Sequence, residues 1–208
     1  MTQGVLVTGG TGSIGSAVTA RFLADGDRVA VTYRTTAEWE RLRAEHPGEA
    51  GSGRLAGFAA DVTDHDSMRA AVDAAAAQLG GLRVLAHIAG GFEGGTPVAT
   101  VSESSVRGMI GLNLVSAFWA AKHAIPHVKQ SGAGRLLFVS SRGAVQTQPG
   151  AAPYAAAKLG LHALVQTLAQ ELKRDGVTAN AILPSLVDTP QNRAAMPQSD
   201  FAMWVRPE

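Results

Sequence analysis

Val5-Leu6-Val7-Thr8-Gly9-Gly10-Thr11-Gly12-Ser13-Ile14-Gly15 is the stretch that decides how this chain folds. Three consecutive apolar residues read as a short buried strand, and the helix pattern Ala17-Val18-x-x-Arg21-Phe22-Leu23 follows the glycines at once. Strand, glycine turn and helix stand in the order that a phosphate cradle requires. Glycines at 9, 12 and 15 permit a tight turn, a close backbone approach to a pyrophosphate and close packing of helix on strand. The helix N-terminus adds free N–H groups and the positive end of a dipole. Alone, such a turn is equally a plain connection; placed straight after the first strand of an α/β chain, it favours nucleotide binding.

Five further apolar runs read as strands: Arg28–Tyr33, Leu55–Ala60, Val84–Ile88, Leu136–Val139 and Val177–Leu183. Helical patterns lie between them at Thr36–His46, at Asp64–Leu79 with Asp64 or Asp66 as N-cap, at about Ser102–Val128, and from near Tyr154 to about Arg174-Asp175-Gly176. Six strands alternating with helices predict an α/β fold, a doubly wound, Rossmann-like parallel sheet. Such sheets bind ligands beyond the carboxyl ends of their strands. Gly9 to Gly15, Asp61, Ala89-Gly90, Ser141 and Pro184-Ser185 all fall at those ends.

Composition narrows the function. With 208 residues, 46% hydrophobic and 17% charged, the chain suits one domain with a continuous core. A net charge of +1 without a long Lys/Arg cluster argues against a nucleic-acid surface. Cysteine is absent, which removes disulfides, thiol nucleophiles and thiolate metal sites together. No apolar stretch is long enough for a bilayer, and the N-terminus runs straight into a strand, so a cytoplasmic location is the expectation. His123 and His127 are spaced for one helix face, but Pro126 lies between them and no acidic partner is suggestively placed, so no metal is expected.

The chemistry is expected in Ser140-Ser141-Arg142 through Pro153-Tyr154-Ala155-Ala156-Ala157-Lys158. Four residues of helix make about one turn, so the Tyr154 phenol and the Lys158 ammonium project from one face. A neighbouring cation favours the phenolate and would lower the tyrosine's ordinary pKa of about 10. Ser141, at the mouth of the fifth strand, could hydrogen-bond the same substrate oxygen. Tyr154 and Lys158 taken alone could equally be an ordinary amphipathic pair. Asn113 sits in the middle of a predicted helix, where a buried functional role and a simple side-chain-to-backbone bond are both open.

The second strand ends in Tyr33-Arg34-Thr35-Thr36, where a carboxylate would bind the adenosine ribose of NAD. A guanidinium there could pair with a 2′-phosphate, which favours NADP(H) and leaves NAD(H) possible; Arg34 could also be a solvated strand-end charge. Asp61 closes the third strand, either accepting from an adenine amino group or starting the next turn. Ala89-Gly90-Gly91 leaves room for a ligand against the backbone.

Together, Thr8-Gly9-x-x-Gly12-x-x-Gly15, Asp61-Val62, Ala89-Gly90, Asn113, Ser141, Tyr154-x-x-x-Lys158 and Asn180-Ala181-Ile182-Leu183-Pro184 closely resemble the short-chain dehydrogenase/reductase family, in order and through nearly the whole chain. The resemblance implies hydride transfer between a nicotinamide ring and a carbonyl or alcohol carbon, with a small-molecule substrate. Tyr154 would be the general acid/base, and Lys158 would lower its pKa and bind the nicotinamide ribose. Ser141 would orient the carbonyl, and Asn113 would support the lysine through a water-linked relay. Gly9, Thr11, Gly12, Ser13, Ile14, Gly15, Arg34, Asp61, Val62, Ala89, Gly90, Pro184, Val187 and Thr189 would contact the cofactor along with Tyr154 and Lys158. A homo-oligomer, dimer or tetramer, is also implied.

Four departures stand out. Ser13 occupies a frequent glycine position, His87-Ile88 replaces the usual paired asparagines, and Ser185 replaces the glycine after Pro184. Family members also continue past Trp204-Val205-Arg206-Pro207-Glu208 into a further helix and a seventh strand, so the 208-residue single domain is expected to be C-terminally shortened. Residues 89–95 and 188–201 resemble loops of dihydropteridine reductases, which would mean a quinonoid heterocycle as substrate; those enzymes lack the serine present here as Ser141. A non-catalytic nucleotide-sensing domain would keep the fold but have little need of Ser141, Tyr154 and Lys158 together.

Overall fold

The computed structural model describes residues 3–207. Its centre is a six-stranded parallel sheet formed by β1 (Gly4–Thr8), β2 (Arg28–Tyr33), β3 (Leu55–Ala59), β4 (Val84–His87), β5 (Arg135–Val139) and β6 (Thr178–Ile182), in the order β3-β2-β1-β4-β5-β6. The order reverses between β1 and β4, the position at which doubly wound sheets open a ligand crevice. Leu6 pairs with Ala30 on one side and Leu85 on the other, placing Thr8 beside His87 at the open end.

The strands are apolar throughout because both sheet faces are covered. Along β1 the side chains alternate: Leu6 joins a core cluster with Leu85, Leu136, Phe138, Ala120, Ala124, Leu161 and Leu168, while Val5 and Val7 join another with Val29, Val31 and Leu42. Helices α1 (Ser13–Ala24) and α2 (Thr36–Glu45) serve the second cluster. A short α3 (Pro47–Gly51) occupies part of a segment expected as loop, with Pro47 at its first position, where a missing N–H costs nothing. On the first face lie α4 (His65–Leu79), α6 (Ser116–Gln130) and α7 (Ala152–Glu171), and α5 (Glu103–Ile110) packs against α7. Asp64 is the N-cap of α4, its carboxylate accepting from the Ser67 N–H.

The single helix expected over 102–128 is interrupted. Residues Gly111–Val115 form a turn of π-helix between α5 and α6, with Asn113 at its centre. The chain after β6 is also more ordered than a loop: α8 (Pro190–Ala195) is followed by a 3-10 turn, Phe201–Met203, and Val187 bridges to Val205. No helix among the described residues is long and apolar enough to cross a membrane.

Candidate active site

The glycine turn folds as its residues demand. Gly9 has φ of 65°, its N–H donates to Thr32 Oγ1 at 3.0 Å, and the Gly12 N–H returns to the Gly9 carbonyl at 3.1 Å. A Cβ on Gly15 would drive into the Gly9 carbonyl oxygen, so glycine is required there by close packing. Gly12 caps α1 without a side-chain acceptor, and the first turn carries no acidic residue. The cradle at the head of α1 therefore presents N–H groups of Ser13, Ile14 and Gly15 and fits a pyrophosphate. Ser13 donates its hydroxyl to Gln191 Oε1 at 2.8 Å, tying this turn to α8.

Beyond the end of β3, Asp61 starts a turn: one carboxylate oxygen accepts from the Thr63 N–H at 2.8 Å and hydroxyl at 2.7 Å, which holds its pKa low. Val62 is half-buried against the core. Arg34 is exposed, and its charge lowers the pKa of both Glu38 and Asp61. Glu38 accepts from the N–H groups of Arg34 and Thr35 in a capping box at the head of α2. A second guanidinium, which sequence reading did not single out, stands nearby: Arg41 Nη2 donates to the Thr11 carbonyl. Its place one turn into α2 leaves no mark in the sequence pattern, because the contact is made by tertiary packing against the glycine turn.

The catalytic candidates converge between β4 and β5. Lys158 is 5% exposed and donates to the Val139 carbonyl at 2.7 Å. Burial pulls its pKa down to about 8. Asn113, 1% exposed, accepts at Oδ1 from the Gly91 N–H at 3.1 Å and donates through Nδ2 to the Met109 carbonyl at 3.1 Å. A Cβ on Gly90 would lie 3.0 Å from Asn113 Oδ1 and 3.2 Å from Lys158 Nζ, so both groups border this backbone. Ser141 caps the 3-10 turn Arg142–Ala144, accepting from the Gly143 N–H at 3.0 Å, and its hydroxyl also faces the Tyr154 phenol.

Tyr154 differs from expectation in one respect. Lys158 Nζ lies 5.9 Å from the Tyr154 ring centre, engaged with Val139, and burial pushes the phenol above its ordinary value; hydrogen bonding from Ser141 opposes this only in part. Desolvation thus prevails, and the effect that opposes it comes from Ser141 rather than from Lys158 as expected. A phenol of raised pKa keeps its proton at neutral pH and is suited to give it to an oxygen that becomes an alkoxide. Phe92, 68% exposed, stands edge-on to Tyr154 with ring centres 5.0 Å apart. Sequence reading missed it, because a lone aromatic in a glycine-rich loop has no periodicity.

The remaining expected contacts lie along one rim. Ala89 sits against Gly9, and the Pro184 carbonyl accepts from the Arg142 N–H at 3.0 Å. Val187 and Thr189 are both 7% exposed; Thr189 caps α8 through the Asn192 N–H, and the Val187 carbonyl holds the Asn192 side chain. His127 is paired with Asp73 at 2.9 Å, while His123 packs ring-to-ring against His65.

The family model for short chain dehydrogenases matches residues 3–200. The chain belongs to that family. A 4-formylbenzenesulfonate dehydrogenase of Comamonas testosteroni is 35% identical over 198 residues, covering 95% of this chain and 78% of the relative. A 3-oxoacyl-[acyl-carrier-protein] reductase, MabA of Mycobacterium bovis, is 32% identical, covering 93% and 73%. Among solved structures, a short-chain type dehydrogenase/reductase from Mycobacterium ulcerans superposes with a TM-score of 0.91 at 29% identity, over 98% of this chain and 78% of that one. ElxO, solved with NADP bound, gives 0.91 at 21% identity over 100% and 87%, a likeness of fold. The chain is thus an oxidoreductase of the short-chain dehydrogenase/reductase family, whose members use NAD(P)(H).

Proposed function

We propose that the protein transfers hydride between NADP(H) and the carbon of a small carbonyl or alcohol substrate, with Tyr154 as general acid/base. The observation that carries this reading is that Asn113 and Lys158 border Gly90 while Ser141 and Tyr154 border Gly143, with Tyr154 one helical turn from Lys158, beyond the open end of the sheet that also holds the glycine cradle. The bound nicotinamide would supply or accept the hydride. Ser141 positions the substrate oxygen, and Tyr154 gives it a proton in reduction and removes one in oxidation. Lys158 places a cation at the nicotinamide ribose side, and Asn113 supports it through water. The 2′-phosphate of NADP is assigned to Arg34; its sharing with Glu38 and Asp61 keeps NAD(H) usable. A homo-oligomer is part of the same reading, supported by exposed Phe118 and Leu159 on α6 and α7, and a cytoplasmic location goes with it.

A second reading keeps the site but takes a flat conjugated substrate, a quinonoid heterocycle or an aromatic aldehyde. The exposed ring of Phe92 beside Tyr154 favours it, as a face on which such a substrate can stack. A sensing domain without turnover is the third alternative. Titration with NADPH and NADH, followed by turnover of a carbonyl panel that includes quinonoid pterins, separates all three. Tyr154→Phe is expected to keep cofactor affinity and lose turnover by about a hundredfold or more; retained turnover would remove Tyr154 from the acid/base role.

A further inference from the structure

The π-turn that carries Asn113 needs a partner that an α-helix would not. The Ser116 N–H bonds to the Gly111 carbonyl five residues back, so it no longer serves the Leu112 carbonyl. The Ser116 hydroxyl takes that carbonyl instead, at 2.6 Å. Having given its proton to Leu112, the Ser116 oxygen is an acceptor for His87 Nε2 at 3.1 Å, so that nitrogen carries the imidazole proton. The other nitrogen, Nδ1, is then the acceptor for the Thr8 hydroxyl at 2.8 Å, and Thr8 Oγ1 in turn faces the Ala89 N–H at 3.5 Å. Every donor and acceptor of this chain has one direction. It runs from the Ala89 backbone through β1 and β4 to the π-turn, with Thr8, His87 and Ser116 each 2% exposed or less.

We infer that His87, protonated on Nε2 alone, is a positioning residue that locks the Ser116 hydroxyl onto the Leu112 carbonyl and so holds the π-turn in the shape that presents Asn113 Oδ1 to the Gly91 N–H. His87 touches neither substrate nor cofactor site; it acts through Ser116. Beside it lie Phe138, at 5.9 Å between ring centres, and the Lys158 cation. A second positive charge there would be repelled, which agrees with an imidazole kept uncharged. The importance of this placement for turnover rests on the proposed function, whereas the placement itself can be read without any activity.

The experiment pairs amide hydrogen exchange at Gly91 with nitrogen NMR of the histidine rings and with steady-state kinetics, on wild type, His87→Leu, His87→Gln and Ser116→Ala. Wild-type His87 should show a protonated Nε2 and a bare Nδ1; the opposite tautomer would overturn the inference. His87→Leu and Ser116→Ala should speed Gly91 exchange about tenfold, the loss of one buried hydrogen bond, and lower kcat by a similar factor with KM little changed. His87→Gln, whose amide N–H can reach the Ser116 oxygen, should restore both. A merely structural histidine would lower the melting temperature without a selective effect on Gly91 or kcat. Ser116→Ala is the smaller change and decides the matter should His87→Leu not fold: unchanged Gly91 exchange in it would overturn the inference. Faster Gly91 exchange in these variants, together with a wild-type protein that turns over no carbonyl, would instead sink the proposed function and leave the inference standing.

Discussion

Gly90→Ala tests the packing of the site with a single methyl group. Gly90 has no positive φ, so alanine meets no backbone penalty there and any effect must be steric. The new Cβ would stand 3.0 Å from Asn113 Oδ1 and 3.2 Å from Lys158 Nζ. Lys158 can yield, because Nζ is the end of a flexible chain. Asn113 cannot, since its amide is held at both ends by Gly91 and Met109 within a buried turn. Relief therefore stretches the Gly91 bond or leaves the overlap in place, at a cost of about 1–3 kcal/mol. For a chain of this length each kcal/mol lowers the melt by about 2–4 °C, so the melting temperature should fall by about 2–12 °C. Displacing Asn113 and Lys158 by a few tenths of an ångström should cut kcat by about tenfold, given that 1 Å of misplacement costs about a hundredfold. Gly108→Ala is the control: nothing lies within 4 Å of its Cβ in α5, so it should leave kcat unchanged and raise the melt slightly. A Gly90→Ala protein with wild-type melt and wild-type kcat would refute the described contact between Gly90, Asn113 and Lys158.

Cofactor choice should respond to both guanidiniums at the adenosine end: Arg34→Asp and Arg41→Gln are each expected to weaken NADPH binding by about tenfold while leaving NADH within about twofold; equal losses for both cofactors would remove them from 2′-phosphate recognition. Stability should change with pH in two windows. Burial and then Lys158 depress His87 from 6.5 to about 3, so the unfolded chain binds more protons there and stability falls as pH drops from 6.5 towards 3. Lys158 is depressed from 10.5 to about 8, again leaving more protons on the unfolded chain, so its contribution rises as pH climbs through that interval. Denaturant melts of wild type and His87→Gln should differ in the acid slope alone, and an identical slope would contradict the burial of an uncharged His87. Phe92→Ala should raise KM for an aromatic aldehyde about three- to tenfold and leave short aliphatic carbonyls unchanged, by loss of one ring-ring contact; equal KM changes for both classes would count against stacking.

What could be read from the sequence is what is decided locally. The order of strand, glycine turn and helix at residues 5–23 is written in adjacent residues, as is the one-turn spacing of Tyr154 and Lys158, and the parallel, doubly wound class of the sheet follows from alternating strands and helices, though its strand order does not. The Thr35-x-x-Glu38 capping box was not read from the sequence, although its residues are close neighbours, and it explains why Arg34 shares its end of β2 with a carboxylate. The π-turn was not legible. An α-helix and a π-turn over Gly111–Val115 differ in which carbonyl the Ser116 N–H takes, and the Ser116 side chain is bonded to His87, 29 positions earlier on β4. The same holds for the tyrosine: sequence spacing places a cation one turn away, but the charge felt at Tyr154 depends on whether Lys158 turns to the phenol or to the Val139 carbonyl. Both misreadings fall on the side chains between β4, β5 and the π-turn. That is the expected place for them, because a site that must hold a buried lysine, a protonated phenol and a helix carbonyl served by a side chain instead of a backbone N–H is built from partners distant in sequence, which local preference alone cannot specify.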